Sequence, residues 1–147
     1  MTAREFPLAW RSTQSEHGII PAEVLARIIP LTATEADQCN QASLTFFQPN
    51  HTLSPALFGT IISRRNDNIP ASECRTWLLD QQPADAPVVV SWQSDLGVRT
   101  TWYIFADYWD AFCYASSDDV IVWPEGKQWV LAYYHYELFE FGKNRKP

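Results

Sequence analysis

Sixteen of the 21 aromatic residues in this 147-residue chain fall between Trp77 and Phe141. Rings in that number need one large continuous interior, so the second half of the chain must carry the main core. A chain of this length buries roughly two thirds of its unfolded surface, enough for one self-sufficient unit. A single domain spanning residues 1–147 is expected, with Lys143-Asn144-Arg145-Lys146-Pro147 as a frayed basic tail beyond Gly142. Ten prolines favour many short elements over a few long ones.

The N-terminal half reads as short helices. Pro21 suits a first helical turn, Val24, Leu25, Ile28 and Ile29 share one side, and Pro30 stops it. Thr32 followed by Glu35 is a capping-box pattern that opens a second helix toward Phe46 and Phe47. Ser54-Pro55, with Leu57, Phe58, Ile61 and Ile62 behind it, predicts a third. Arg64 to Asn68 reads as an exposed turn, Ala71 to Leu79 as a short helix anchored by Trp77 and Leu78, and Gln81 to Pro87 as a loop.

From Val88 the period changes to that of strands. Val88, Val89 and Val90 are consecutive and β-branched, as in a strand covered on both faces. Ser94-Asp95-Leu96-Gly97 turns the chain into a return strand over Val98 to Thr101. Trp102 to Cys113 then predicts one amphipathic helix. Trp102, Phe105, Tyr108, Trp109, Phe112 and Cys113 fill one arc, and Tyr103, Asp107 and Asp110 face solvent. A second hairpin runs from Val120 to Trp123 and from Gln128 to Tyr134, with His135 to Phe141 as a further strand. Pairing Trp123 with Gln128 sets Asp118 opposite Tyr133 and near His135. The expected fold is α+β, with short N-terminal helices on a mainly antiparallel four- to five-stranded sheet and one helix between two hairpins.

Charge excludes several classes of function. Residues 80–142 hold ten Asp or Glu against only Arg99 and Lys127, within a chain of net charge −6. Such a surface repels nucleic acid. The first twenty residues contain no apolar run of signal-peptide length, and no stretch is long enough to cross a bilayer. Cys39, Cys74 and Cys113 are odd in number and widely spaced, the pattern of buried reduced thiols, so a cytoplasmic setting is expected.

Val90-Ser91-Trp92-Gln93, then Thr100-Thr101-Trp102, Phe105, Trp109 and Phe112, and finally Phe141-Gly142 with the basic tail, resemble a small bacterial family, domain of unknown function 2947. Ile29-Pro30-Leu31-Thr32 is similar to that family's opening. The resemblance implies no activity and no catalytic residues. Ser116 to Asp119 and Tyr133 to Glu137 depart from its pattern in being more acidic and aromatic. In size and composition the segment is also similar to bacterial proteins that protect cells from toxins.

Asp118, Asp119, His135 and Glu137 are the side chains that acid–base or metal-assisted hydrolysis would use. Adjacent aspartates on a strand point to opposite faces, however, and Ser116 to Asp119 suits a turn closed by side-chain bonds to backbone N–H groups. No serine-hydrolase elbow and no phosphate-binding glycine loop is present. No catalytic residue, metal or cofactor is therefore expected. Alternation along the strands should leave two or three rings outside, and Tyr or Trp ringed by carboxylates suits a protein-binding surface. The reading is a non-enzymatic, immunity-like inhibitor of a basic protein toxin such as a nuclease. Its partner-binding residues are Tyr103, Asp107, Asp110, Asp118, Asp119, Tyr136 and Glu137. The alternatives are a glycan or small-molecule module built on exposed rings, or a small acid–base or metal-dependent hydrolase. Oligomeric state is not legible.

Overall fold

The computed structural model describes residues 20–93, 96–114 and 118–144. In chain order the elements are α1 (Ala22–Leu25), β1 (Ile29–Pro30), α2 (Ala33–Leu44), β2 (Phe58–Arg65), α3 (Ala71–Leu79), β3 (Pro87–Gln93) and β4 (Leu96–Thr101). They continue with α4 (Trp102–Asp107), α5 (Trp109–Phe112), β5 (Val120–Pro124), β6 (Trp129–Tyr134) and β7 (Leu138–Asn144). The strands form one seven-stranded sheet in the order β1-β4-β3-β5-β6-β7-β2, with every neighbouring pair antiparallel. The α+β class is as expected, but the sheet exceeds the expected four to five strands.

The sheet is covered on both sides, which explains the unbroken valine run in β3. Val88 and Val90 join Val98, Val122, Leu131, Phe139 and Phe141 under α3, α4 and α5. Val89 points the other way, to Trp123, Val130 and Tyr134 beneath α2 and the segment that follows it. Each large apolar side chain so buried contributes about 1.5–3 kcal/mol relative to exposure.

On the helical face, indole N–H groups fix the packing. Trp102 Nε1 donates to the Leu78 carbonyl at 2.9 Å and Trp109 Nε1 to the Ala71 carbonyl at 3.1 Å, so two rings hold both ends of α3. Trp92 Nε1 donates to the Phe112 carbonyl at 2.8 Å, and its ring stacks on Phe112. These rings bury apolar area while their one polar atom stays paired.

On the opposite face, α2 starts with the expected capping box: Glu35 N donates to Thr32 Oγ1 and Thr32 N to Glu35 Oε1. Those bonds hold the Glu35 carboxyl below its ordinary range, the backbone bond contributing most. Past α2, Phe46 packs edge-on against Trp123 and Phe58. Glu140, buried on β7, accepts from Leu53 N at 3.1 Å and from the Tyr134 hydroxyl at 2.5 Å through one oxygen. That carboxylate adds a buried polar tie to the packing of Phe46 and Leu53 that holds the 46–57 segment on the sheet.

Five expectations are corrected. The third helix is instead β2: its β-branched Thr60, Ile61 and Ile62 pair with β7, and the spacing that suggested a helix leaves Leu57 and Ile62 exposed. Arg64 and Arg65 close that strand, and Asn66 is buried rather than part of an exposed turn. The single helix over Trp102 to Cys113 breaks at Tyr108, whose φ/ψ of −115°/29° is not helical. Ala111 N donates to the Tyr108 carbonyl, and Arg75 Nε takes the Asp107 carbonyl at 2.7 Å. Gly142 does not end the fold. Strand β7 runs on to Asn144 beside Phe58, and a Cβ on Gly142 would stand 2.9 Å from the Phe58 ring and 3.1 Å from Leu53. The first helix is also shorter than expected, since Ile29 and Pro30 pair with β4.

Candidate functional site

The β5–β6 register sets where the acidic residues stand. Val120 lies opposite Tyr133 and Val122 opposite Leu131, two positions away from the expected pairing. A shift of two keeps every side chain on its face but changes its neighbour. Continued past Val120 that register would set Asp118 opposite His135, but the ladder ends at Val120, Asp118 turns to Tyr114, and Asp119 makes the contact with His135. Asp119 Oδ1 accepts from His135 N at 2.9 Å and lies 3.0 Å from His135 Nδ1.

Asp118 turns inward, as alternation requires of its neighbour. It is buried, its Oδ2 accepts from Tyr114 N at 2.9 Å, and its own N–H donates to the Tyr114 carbonyl. This is the turn-closing role that its sequence setting suggested. Ser116 and Ser117 lie outside the described residues.

Residues 135–137 form the turn between β6 and β7. Glu137 sits there at φ 63°, the left-handed position of a three-residue hairpin loop and one that favours glycine. Its N–H donates to the Tyr134 carbonyl, and its own carbonyl accepts from Asn66 N. Tyr136 projects from the turn with 46% of its surface exposed. Its ring lies parallel to Tyr134 at 5.5 Å and 7°, with His135 edge-on at 5.3 Å. Tyr134 in turn is held by Phe47 and by Glu140. An exposed ring is thereby set on a buried, hydrogen-bonded support, in a turn that carries Glu137 and is bonded to Asp119 through His135.

The other three candidates belong to the helical layer. Tyr103 on α4 is 45% exposed. Asp107, expected to face solvent, is half-buried and turned to Arg75, with Oδ1 3.7 Å from Nε. Asp110 on α5 is also half-buried. The helical set thus covers the face of the sheet opposite the one that carries Tyr134, and the seven residues do not form one surface. Those brought together are Asp119, Tyr136 and Glu137, joined by His135 and supported by Tyr134.

The exterior retains fewer rings than the sequence contains. From Trp77 onward only Tyr103 and Tyr136 are exposed among the described residues. No group of three or more His, Cys, Asp or Glu among the described residues is arranged to hold a metal ion. Cys74 and Cys113 are buried and Cys39 half-buried, all as free thiols. Burial pushes the Cys74 thiol up to about 12, which suits an inert core residue. No helix among the described residues is long and apolar enough to cross a membrane. Tyr134 and Glu140 as supports escaped sequence reasoning, because their meeting depends on the β6–β7 register and on a loop 87 residues away from Glu140.

The fold defines an α+β protein with an antiparallel sheet between a helical layer and a mixed helix–loop layer. Compared with known proteins, the chain matches no family model, no curated protein and no solved structure.

Proposed function

We propose that this is a non-enzymatic, cytoplasmic binding protein that neutralises a basic protein partner in the manner of an immunity protein, a cationic toxin such as a nuclease being the partner class. The observation that carries the reading is Tyr136, an exposed ring stacked on a buried one in a turn that also holds Glu137 and whose His135 is bonded to Asp119. A held ring loses little freedom on docking, and carboxylates around it speed encounter with a cationic surface. Enzymes that act on phosphate need cationic clefts, so an acidic ring-bearing turn competes for the surface their substrate uses. The excess of acid over base between residues 80 and 142 supports the same class of partner. The family resemblance to domain of unknown function 2947 belongs to this proposal and supplies no activity of its own.

The test is binding of the purified protein to a panel of catalytically inactive, cationic nuclease domains, with a neutral protein as control. Affinity should fall steeply with salt for at least one member and drop at least ~10-fold in Tyr136→Ala, as expected for a central aromatic contact. Equal affinity of Tyr136→Ala and the unaltered chain would reject the turn as the binding surface. Loss of binding only in Tyr103→Ala would move the site to the helical layer.

A further inference from the structure

The two edges of the sheet are built differently. At one end β1 offers two residues, and the second is Pro30, which has no N–H. At the other end β2 offers eight residues, paired along one side with β7 and, among the described residues, with no strand along its outer side. Its middle, Thr60-Ile61-Ile62-Ser63, has no charge and no proline. Ile62 stands 43% exposed on the face that carries Phe141, its partner in register. A long uncharged edge of this kind is a ready template for another strand.

We propose that the edge of β2 pairs with β2 of a second copy, antiparallel about a two-fold axis at Ile62, to give one continuous sheet. The segment is self-complementary in that register. Ile62 meets Ile62 across the axis, Ile61 stands opposite Ser63, and Thr60 opposite Arg64, as an isologous contact requires. The charges at its end are already matched within one copy, with Arg65 Nε 3.1 Å from Asp67 and Arg64 Nη2 3.8 Å from Glu73. These arginines therefore neither repel the second copy strongly nor call for an acidic peptide. Lys143, which pairs with Thr60, would lie two strand spacings from the second copy's Arg64, roughly 10 Å and about one Debye length at physiological salt. One strand pair buries less than the roughly 1,200 Å² of a stable interface, so the dimer is weak and concentration-dependent. Because Asn66, next to the end of β2, bonds to Glu137, the antiparallel axis carries the two acidic turns to opposite ends of the joined edge. The dimer does not depend on what that turn binds.

Sedimentation velocity of the full chain from about 5 μM to about 1 mM tests the proposal. The weight-average mass should rise from 16.9 kDa toward twice that value and no further. Ile62→Lys, at an exposed position, should remain monomeric throughout with an unchanged circular dichroism spectrum. Hydrogen exchange of the unaltered chain reads the same event without a variant: amides of residues 59–65 should gain protection as concentration rises, and those of β1 should not. A monomer at every concentration, an Ile62→Lys that associates like the parent, or a ladder of higher species would each overturn two-fold β2 pairing.

Discussion

The two faces of the sheet are sealed by different chemistry. On the helical face Trp102 and Trp109 donate to backbone carbonyls at both ends of α3, so helix position is set by neutral bonds within a wall of rings. On the opposite face α2 covers only part of the sheet, and the segment behind it is held by the buried Glu140 carboxylate, which accepts from Leu53 N and the Tyr134 hydroxyl. A continuous wall of rings should open as one unit, whereas a segment packed by Phe46 and Leu53 and tied by one carboxylate has fewer contacts to lose and can open locally. The candidate binding turn stands on the second face, since Tyr136 stacks on the Tyr134 that Glu140 holds.

The largest effect should come from the helical face. Trp102→Ala removes a fully buried ring and the bond to Leu78, and should cost about 3–5 kcal/mol in urea unfolding, with the whole sheet losing exchange protection together. Glu140→Ala should cost less, about 2–4 kcal/mol, by leaving Leu53 N and the Tyr134 hydroxyl unpaired in the interior. Its exchange signature should be local, with residues 46–58 opening before β3. If both variants open the same residues, the distinction between the faces is lost.

Alkaline pH tests the helical face by another route. The fold keeps the Cys74 thiol neutral to about 12 against an ordinary value of 9.0, so its contribution is complete below pH 9 and is lost as pH rises toward 12. Its share of the stability lost between pH 8 and pH 10 should be about 1 kcal/mol, so Cys74→Ala should shrink the parent's loss over that interval by that amount. Burial also raises Tyr133 on the helical face and Tyr134 on the other, so above pH 10 both faces weaken. The smallest effect concerns the turn. Glu137→Gly relieves a left-handed backbone position and should stabilise the protein by about 0.5–1 kcal/mol, measured as a raised urea midpoint.

Much of the fold was legible because local chemistry agreed with it. The Thr32–Glu35 capping box, the α3 segment and the Val88 to Val90 run each carried enough local information to place an element. Strand β2 was not legible, since Leu57, Phe58, Ile61 and Ile62 satisfy a helical spacing and only pairing with β7 decides the matter. The break at Tyr108 depends on Arg75, a residue of another helix, reaching the Asp107 carbonyl. The candidate site was legible in part. Asp119, Tyr136 and Glu137 were named from the sequence, but Asp118 turned inward to Tyr114, and Asp107 turned to Arg75. Each of these depends on a partner whose position a linear pattern does not carry.

The central claim is that the turn at residues 135–137 serves binding and not folding. The direct measurement is the affinity of a variant combining Asp119→Asn, Tyr136→Ala and Glu137→Gly for a cationic nuclease domain that the unaltered protein binds, read beside its melting temperature. The account predicts a loss of affinity of at least ~100-fold with the melting temperature within about 3 °C of the parent. Full affinity in that variant would contradict it, and so would loss of affinity accompanied by loss of the fold.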